Sequence, residues 1–383
     1  MSGAVRGWCP GALRPMASGD GYVLRVRPRA GHLSPEQVAG LGAAAEAFGN
    51  GEIALTRRAN LQIRGVAEDA LAPLRARLAA LDLLDIDPAV EARRNLVSDP
   101  FGGSETRALS KALEVALAEA EDLAPLPSKF GFALDPGPSR MLSGISGDIR
   151  IEGSAEGGLL VRAEGAPTGR TVSDAPAAIR AALELARWFL ASGGVGPDGR
   201  GRMARHLESG AALLPELAGD AEPAPEAPRP EPGDTAGGAL LAAAFGRFPA
   251  SSFAALPEGP LAITPWRMVF TPGRSAADCA TLPGLITTPD DPLLRVEACP
   301  GAPACPQGEM PTEDTARRLA ARLPTHKSLH VSGCAKGCAG SGSADLTLTG
   351  RAGRFDLVQG GAAWDEPFRR GLAPDDLTDL WDD

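Results

Sequence analysis

The feature that most constrains this chain is that it repeats itself. The block 51–56 (Gly-Glu-Ile-Ala-Leu-Thr) aligns without gaps to 259–264 (Gly-Pro-Leu-Ala-Ile-Thr), and Gly65 falls on Gly273 in the same register. A second pair of blocks follows, with Glu91-Ala92 on Glu297-Ala298 and Pro100 and Gly102 on Pro306 and Gly308. Further on, Leu126-Pro127 matches Leu323-Pro324, and 148–153 matches 345–350 at that same offset. Two modules are therefore each present twice, and the fold must be one that pairs copies. In this alignment Arg93 and Asp99 stand opposite Cys299 and Cys305, and Gly137 and Met141 opposite Cys334 and Cys338.

Local pattern fills in the modules. Residues 22–26 alternate as a strand, and Ser34-Pro35-Glu36 opens a helix that runs to about Phe48. Gly49-Asn50-Gly51 is a turn, 53–63 reads as one strand and 69–81 as a helix, which completes a β-α-β-α unit. Helices are expected at 104–122 and 312–323, the second with an acidic first turn and a basic last turn. Between the copies, 173–190 reads as an amphipathic helix, and 215–238, rich in Ala, Pro, Glu and Gly, as a flexible linker. Residues 364–383 read as an acidic tail that packs Phe368 and Trp381.

Composition excludes some functions. The 383 residues carry a net charge of −10, which argues against a nucleic-acid binder working by general basicity. No apolar run approaches a membrane span, and the first residues lack a basic region followed by an apolar core, so a soluble cytoplasmic protein is expected. The first hundred residues are nevertheless locally basic, with Arg25, Arg27, Arg29, Arg57, Arg58, Arg64, Arg93 and Arg94.

Four cysteines occur as two tight pairs, Cys299-x5-Cys305 and Cys334-x3-Cys338, in segments punctuated by Gly301, Gly333, Gly337, Pro300, Pro303 and Pro306. Both segments must be loops. Four thiolates converging from flexible turns suit a 4Fe-4S cluster, whereas structural zinc prefers shorter knuckle spacings. A disulfide framework fits a reducing compartment poorly. Cys9 and Cys279 are lone cysteines of the kind usually buried as small hydrophobes.

The paired cysteines in Gly-rich loops resemble the cluster motif of the sirohaem-dependent sulfite and nitrite reductase superfamily. The resemblance covers nearly the whole chain. It implies an α+β fold, sulfite/nitrite reductase-like, with internally duplicated ferredoxin-like half-domains and two α/β domains that clasp a tetrapyrrole. The corresponding boundaries are 1–87 and 239–290 for the half-domains, 88–214 and 291–383 for the α/β domains (the second with the cluster), and 215–238 for the linker. Thr56-Arg57-Arg58-Ala59-Asn60-Leu61-Gln62 is similar to the family's Thr-x-Arg-x-Asn-x-Gln strand, which makes Arg58, Asn60 and Gln62 candidate tetrapyrrole contacts and leaves Arg57 aside. Arg94-Asn95 resembles the second arginine signature, and Lys129 the active-site lysine; by this resemblance Arg58, Arg94 and Lys129 are candidate catalytic residues and Asn95 a substrate contact.

One departure bears on activity. Sulfite and nitrite reductases generally carry a second lysine two residues after the first, and here that position is Gly131. Together with 129–135 and 58–62, the N-terminal Cys9-Pro10-Gly11 and Ser18-Gly19-Asp20-Gly21 resemble an oxygen-using branch of the superfamily that acts in cobalamin synthesis. That branch implies precorrin-3A as substrate in place of sirohaem, and molecular oxygen as oxidant. It further implies a mononuclear non-haem iron beside the cluster, and electrons from NADH through a reductase or from a ferredoxin. The product would carry a hydroxyl at C20 and a γ-lactone. Ligands for the second iron are not legible: the histidines are His32, His206, His326 and His330, and the last two would share one strand face. The alternatives are a small sirohaem-dependent sulfite or nitrite reductase and a non-catalytic tetrapyrrole binder.

Overall fold

The structure is a computed structural model and describes residues 10–256, 259–340 and 342–377. Cys9 and Trp381 lie outside the described residues. The first module carries β1 (Met16–Ser18), β2 (Gly21–Val26), β3 (His32–Leu33), α1 (Pro35–Phe48), β4 (Glu52–Leu55), β5 (Leu61–Val66) and α2 (Leu71–Ala80). α1 starts where its sequence says it should: Ser34 accepts from the Gln37 N–H, Gln37 reaches back, and Pro35 opens the first turn. The second module has α3 (Pro88–Arg93), β6 (Leu96–Ser98), α4 (Ser104–Glu119), β7 (Phe132–Asp135), β8 (Ile149–Gly153), β9 (Leu159–Ala163), β10 (Arg170–Val172) and α5 (Ala175–Ala191). Two short helices follow, α6 (Met203–Glu208) and α7 (Pro215–Ala218).

The second copies run in the same order. The ferredoxin-like copy has β11 (Gly233–Thr235), β12 (Gly238–Ala243), β13 (Arg247–Pro249), α8 (Ala250–Ala254), β14 (Leu261–Ile263), β15 (Val269–Pro272), α9 (Ala276–Cys279) and β16 (Leu285–Ile286). The last module has β17 (Val296–Ala298), α10 (Glu313–Ala320), β18 (Leu329–Ser332), β19 (Ala344–Arg351), β20 (Arg354–Gly361) and β21 (Arg369–Leu372).

Strand pairing shows why the halves cannot separate. One sheet is ordered β1-β2-β5-β4-β13 and its partner β11-β12-β15-β14-β3, so each copy gives one strand to the other's sheet. Both crossings begin at a residue forced into the left-handed region, Ala30 (φ 49) and Phe245 (φ 58). One core joins the two sheets, with Leu33, Leu41, Ile53 and Ile63 from the first copy against Phe248, Phe253 and Ile263 from the second. The α/β modules repeat one another as well, in the orders β10-β9-β8-β7-β6 and β17-β18-β19-β20-β21, each with its first three strands parallel.

The structure corrects four readings. Residues 53–63 are not one strand: β4 and β5 are joined by a tight hairpin at 56–60. Its counterpart is 264–268, with left-handed Ala59 matched by left-handed Arg267 (φ 51 and 61) and Thr56 Oγ1 by Thr264 Oγ1 as acceptors of turn N–H groups. Residues 215–238 are not a loose linker but a strap, bridged to the first α/β sheet at Gly169–Ala221, Ser154–Pro223 and Arg140–Glu226 before entering β11. Phe368 does not pack; it is 65% exposed. Finally, the repeat register before the first cysteine slips by six residues. Leu96 pairs with Phe132 as Val296 pairs with Leu329, so Asp99, not Arg93, stands where Cys299 does. The shared backbone contact agrees, since the Asp99 N–H donates to Leu134 O and the Cys299 N–H to Val331 O.

Candidate functional site

Both cysteine pairs leave the C-terminal ends of parallel strands, Cys299 after β17 and Cys334 after β18, the edge where open α/β sheets place ligands. The loops are tied to one another and to the sheet. The Gly333 N–H donates to Cys299 Sγ at 3.2 Å, Ser332 Oγ to Cys334 O at 2.7 Å, and Thr312 Oγ1 to Cys299 O. Gly301 is obligatory, being left-handed (φ 62) with Met310 O only 2.5 Å from where a Cβ would stand.

The four sulfurs share one field. Although Cys338 is the exposed residue of the four, desolvation around its sulfur raises the thiol pKa, Lys336 opposes that, and Cys299, Cys334 and Cys305 raise it further. Yet among the described residues no three His, Cys, Asp or Glu side chains converge closely enough to hold a single metal ion. A tetrahedral zinc, with Zn–S near about 2.3 Å, would require such convergence. A cubane spreads its four thiolates around a larger core and takes N–H donors to sulfur, so the donor set fits a 4Fe-4S cluster held by Cys299, Cys305, Cys334 and Cys338. The histidines are dispersed: the His32 ring meets Ala30 O, His206 meets Ser192, His326 is exposed in a turn and His330 is buried in β18.

Facing the cysteine loops is a cationic sheet surface. Cross-strand pairing places Arg25, Gln62, Ala54 and Arg247 in one row over β2, β5, β4 and β13, with Arg64 two residues from Gln62 on the same side. Arg64 reaches Ser18 Oγ at 3.0 Å and Asp20 Oδ1 at 3.4 Å, and Ser18 and Gly19 both donate to Ala304 O, between the first two cysteines. Several guanidinium nitrogens here are buried without a partner among the described residues: Nε of Arg25 and Arg64, and Nε and one terminal nitrogen of Arg27. Burial pulls the Arg27 pKa down to about 10, Glu91 opposing and Arg25 and Arg94 adding to the fall. Buried cations of this kind call for an anion.

The hairpin at 56–60 projects its two arginines differently. Arg58 donates to Lys129 O at 2.9 Å and Ser146 Oγ at 3.4 Å. Arg57, set aside from sequence, donates to Ala339 O at 3.0 Å on the second cysteine loop and pairs with Glu297 at 3.1 Å. Arg58 and Lys129 are therefore brought together, with the Lys129 side chain exposed. Arg202 joins them through Ser146 Oγ at 2.8 Å and Asp148 Oδ1 at 2.9 Å. Sequence reasoning missed Arg202, which lies in a loop far along the chain with no pattern around it. Asn60 is buried at the hairpin's end and Gln62 lies on the cationic face.

Arg94 does not belong to this group. Its side chain is buried and fully engaged, with Asp85 at 2.9 Å, Glu114 at 3.0 Å and Arg27 O at 3.1 Å, because it ties the α3–β6 junction to α4 and to the end of β2. Asn95 is also structural: its Nδ2 donates to Phe130 O at 2.7 Å and so fixes the loop that follows Lys129. That contact explains Gly131. A Cβ there would stand 2.8 Å from Asn95 Nδ2 and 3.0 Å from Asn95 O, so a lysine is sterically excluded unless Asn95 moves.

In the first copy, buried side chains occupy the region that corresponds to the cysteine loops. The Arg150 guanidinium, in register with Thr347 of the second copy, donates to the carbonyls of Leu142, Ser143 and Ile145 and so organises the loop after β7. Asp99 and Asp135 lie beside it. Burial, with Asp99 and Glu152 adding repulsion, pushes the Asp135 carboxyl up to about 7 against a Leu142 N–H bond and Arg150.

Comparison with known proteins agrees with this architecture. Residues 14–81 match the nitrite/sulfite reductase ferredoxin-like half domain. The solved structure of the Mycobacterium tuberculosis NirA protein superposes with a TM-score of 0.62 over 94% of this chain and 79% of that one, at 18% identity. This is the sulfite and nitrite reductase fold. Among curated relatives, a precorrin-3B synthase of Sinorhizobium sp. is 29% identical over 94% of this chain and 83% of its own length. A ferredoxin–nitrite reductase of Synechococcus elongatus is 27% identical, over 38% of this chain and 31% of its length. Of these two curated relatives, the precorrin-3B synthase aligns over the greater share of this chain. Among the described residues no helix is long and apolar enough to cross a membrane.

Proposed function

We propose that the chain is a precorrin-3B synthase, an oxidoreductase that hydroxylates precorrin-3A at C20 with molecular oxygen and closes a γ-lactone from an acetate arm. The observation that carries this reading is the pair of buried, unpartnered guanidinium nitrogens, Nε of Arg25 and of Arg64, on the sheet face opposite the cysteine loops. A macrocycle bearing several acetate and propionate arms supplies the missing acceptors, and arginine forks suit them. Arg58 and Arg202, held over Ser146, and the exposed Lys129 complete a cationic rim. The near full-length alignment to a relative of that name supports the substrate class.

Cys299, Cys305, Cys334 and Cys338 would hold a 4Fe-4S cluster, which supplies single electrons. The stoichiometry is that of a monooxygenase: one oxygen atom enters the substrate, the other leaves as water, and an external donor provides two electrons. A NADH-dependent reductase or a ferredoxin would serve as that donor. The chain's own part is to bind the carboxylates, orient the macrocycle edge and keep water from it. Among the described residues no three His, Cys, Asp or Glu side chains form a single-metal site.

A second reading, a small sirohaem-dependent sulfite or nitrite reductase, is favoured by the fold and by Cys338, the exposed cysteine of the set. Gly131 weighs against it. Six-electron oxyanion reduction develops charge that a lysine pair stabilises, and the Asn95 contact leaves no space for the second lysine. Purification without oxygen, followed by an absorption spectrum and acid-acetone extraction, separates the two. An iron–sulfur shoulder without extractable tetrapyrrole supports the hydroxylase. An extractable iron isobacteriochlorin sinks it.

A further inference from the structure

A half-open cavity lies away from the cationic face, between the strap and the second hairpin. It has a volume of about 300 Å³ and is walled by Phe245, Trp266, Met268 and Leu294, with Arg267 within and Arg229 exposed on the strap. By the internal repeat, β12 and the hairpin 264–268 hold the place here that β2 and the hairpin 56–60 hold at the proposed tetrapyrrole face. The wall chemistry differs, because Ala242 and Ala243 close the floor where the first copy has Arg25 and Val26. A tetrapyrrole with its acetate and propionate arms exceeds this volume, which sits at the small end of ligand pockets.

Charge at the cavity is uneven. Arg229, Arg267 and Arg57 lie in one electrostatic neighbourhood with Glu297, and Glu231 is nearby. Glu297 is already shared, pairing with both Arg57 and Arg267, while Arg267 also donates to Phe245 O at 3.2 Å. Of the side chains that line the cavity, Arg229, Arg267 and Arg295 are cationic and Glu231 and Glu297 anionic, and Glu297 is divided between Arg267 and Arg57. A guanidinium has five donors, so Arg267 retains capacity beyond these two bonds.

We propose that this cavity is a second ligand site, taking a small flat apolar molecule with one anionic head, a carboxylate or a phosphate. The ring lies against Trp266, Phe245 and Met268, and the head meets Arg229 and Arg267. Occupancy is felt at the cysteine loops through one connected set of contacts. An anion that draws on Arg267 loosens its hold on Glu297, and Glu297 shares Arg57, which donates to Ala339 O. The site is independent of the function proposed above.

The test uses the full chain with its cluster and naphthoate as probe, followed by titration calorimetry, with naphthyl phosphate and neutral naphthalene methanol alongside. Naphthoate or the phosphate should bind at least about tenfold more tightly than the alcohol, the difference expected of a charge-assisted contact. Arg229→Gln should remove that preference and Arg229→Lys restore part of it; Arg229 is exposed, so neither change threatens folding. Hydrogen exchange at 334–340 should change on binding. Equal affinity for acid and alcohol, no binding at millimolar probe, or an Arg229→Gln variant that binds as the parent does would overturn the site. So would displacement of naphthoate by a polycarboxylate porphyrin, which would place the probe in the main cleft. Unchanged exchange at 334–340 would overturn the coupling.

Discussion

Replacing Gly131 with lysine restores the residue that the reductases carry, and the structure says it should be costly. The new Cβ would meet Asn95 Nδ2 at 2.8 Å and Asn95 O at 3.0 Å. The side-chain contact can be relieved if Asn95 rotates, but then its 2.7 Å bond to Phe130 O is lost. Overpacking costs about 1–3 kcal/mol and a lost buried hydrogen bond about 1–3 kcal/mol, so Gly131→Lys should destabilise by about 2–6 kcal/mol. Urea unfolding of Gly131→Lys, Asn95→Ala and the double variant forms a cycle. The two changes should couple: with Asn95 truncated, the lysine should cost at least about 1 kcal/mol less than in the parent. A lysine variant within about 0.5 kcal/mol of the parent, or strictly additive changes, would refute the steric account. The loss of the second lysine would then need another explanation.

Other consequences follow from the same contacts. Arg94→Met leaves Glu114 buried without its arginine and Asp85 with Arg29 alone, and should cost about 3–5 kcal/mol by calorimetric or urea unfolding, with tetrapyrrole affinity of the folded fraction unchanged; a selective loss of binding would return Arg94 to the site. Asp135, held up at about 7 when folded against an ordinary carboxylate value of 3.8, binds its proton more tightly in the native state. Its contribution is therefore full below the unfolded value and is lost as pH rises toward 7, so the parent should lose about 2–3 kcal/mol relative to Asp135→Asn between pH 5 and 7. Parallel stability curves for the two proteins would contradict this. Cys305→Ser or Cys334→Ser should abolish the iron–sulfur absorbance and lower bound iron and sulfide together, and retention of one tightly held metal per chain would argue for a different centre.

Much of the fold was legible because duplication is written in the chain twice. The blocks at 51–56 and 259–264 mark the two hairpins, and the cysteine spacings mark the two loops. The exchange of β3 and β13 was not legible, since two or three residues that cross to another sheet leave no periodicity. The six-residue slip around Glu91 arose because short Ala- and Gly-rich matches carry little information. Only backbone pairing showed that Asp99 takes the place of Cys299. At the site, Arg58 donates to Lys129 O, whereas Arg94 carries the same residue type into a buried ion pair. Side-chain type states what a residue can bind, and burial with its neighbours decides what it does bind. Composition likewise misread 215–238, where polar, proline-rich chain forms backbone bridges to a sheet.

The most direct test of the central claim is turnover. The protein, purified with its cluster and supplied with an electron donor, is given precorrin-3A under oxygen gas enriched in the heavy isotope, and the product is read by mass spectrometry. The account predicts a product heavier by one oxygen atom, carrying the isotope from the gas and not from water. Consumption of sulfite or nitrite by a tetrapyrrole-loaded protein, with precorrin-3A left unaltered, would contradict it.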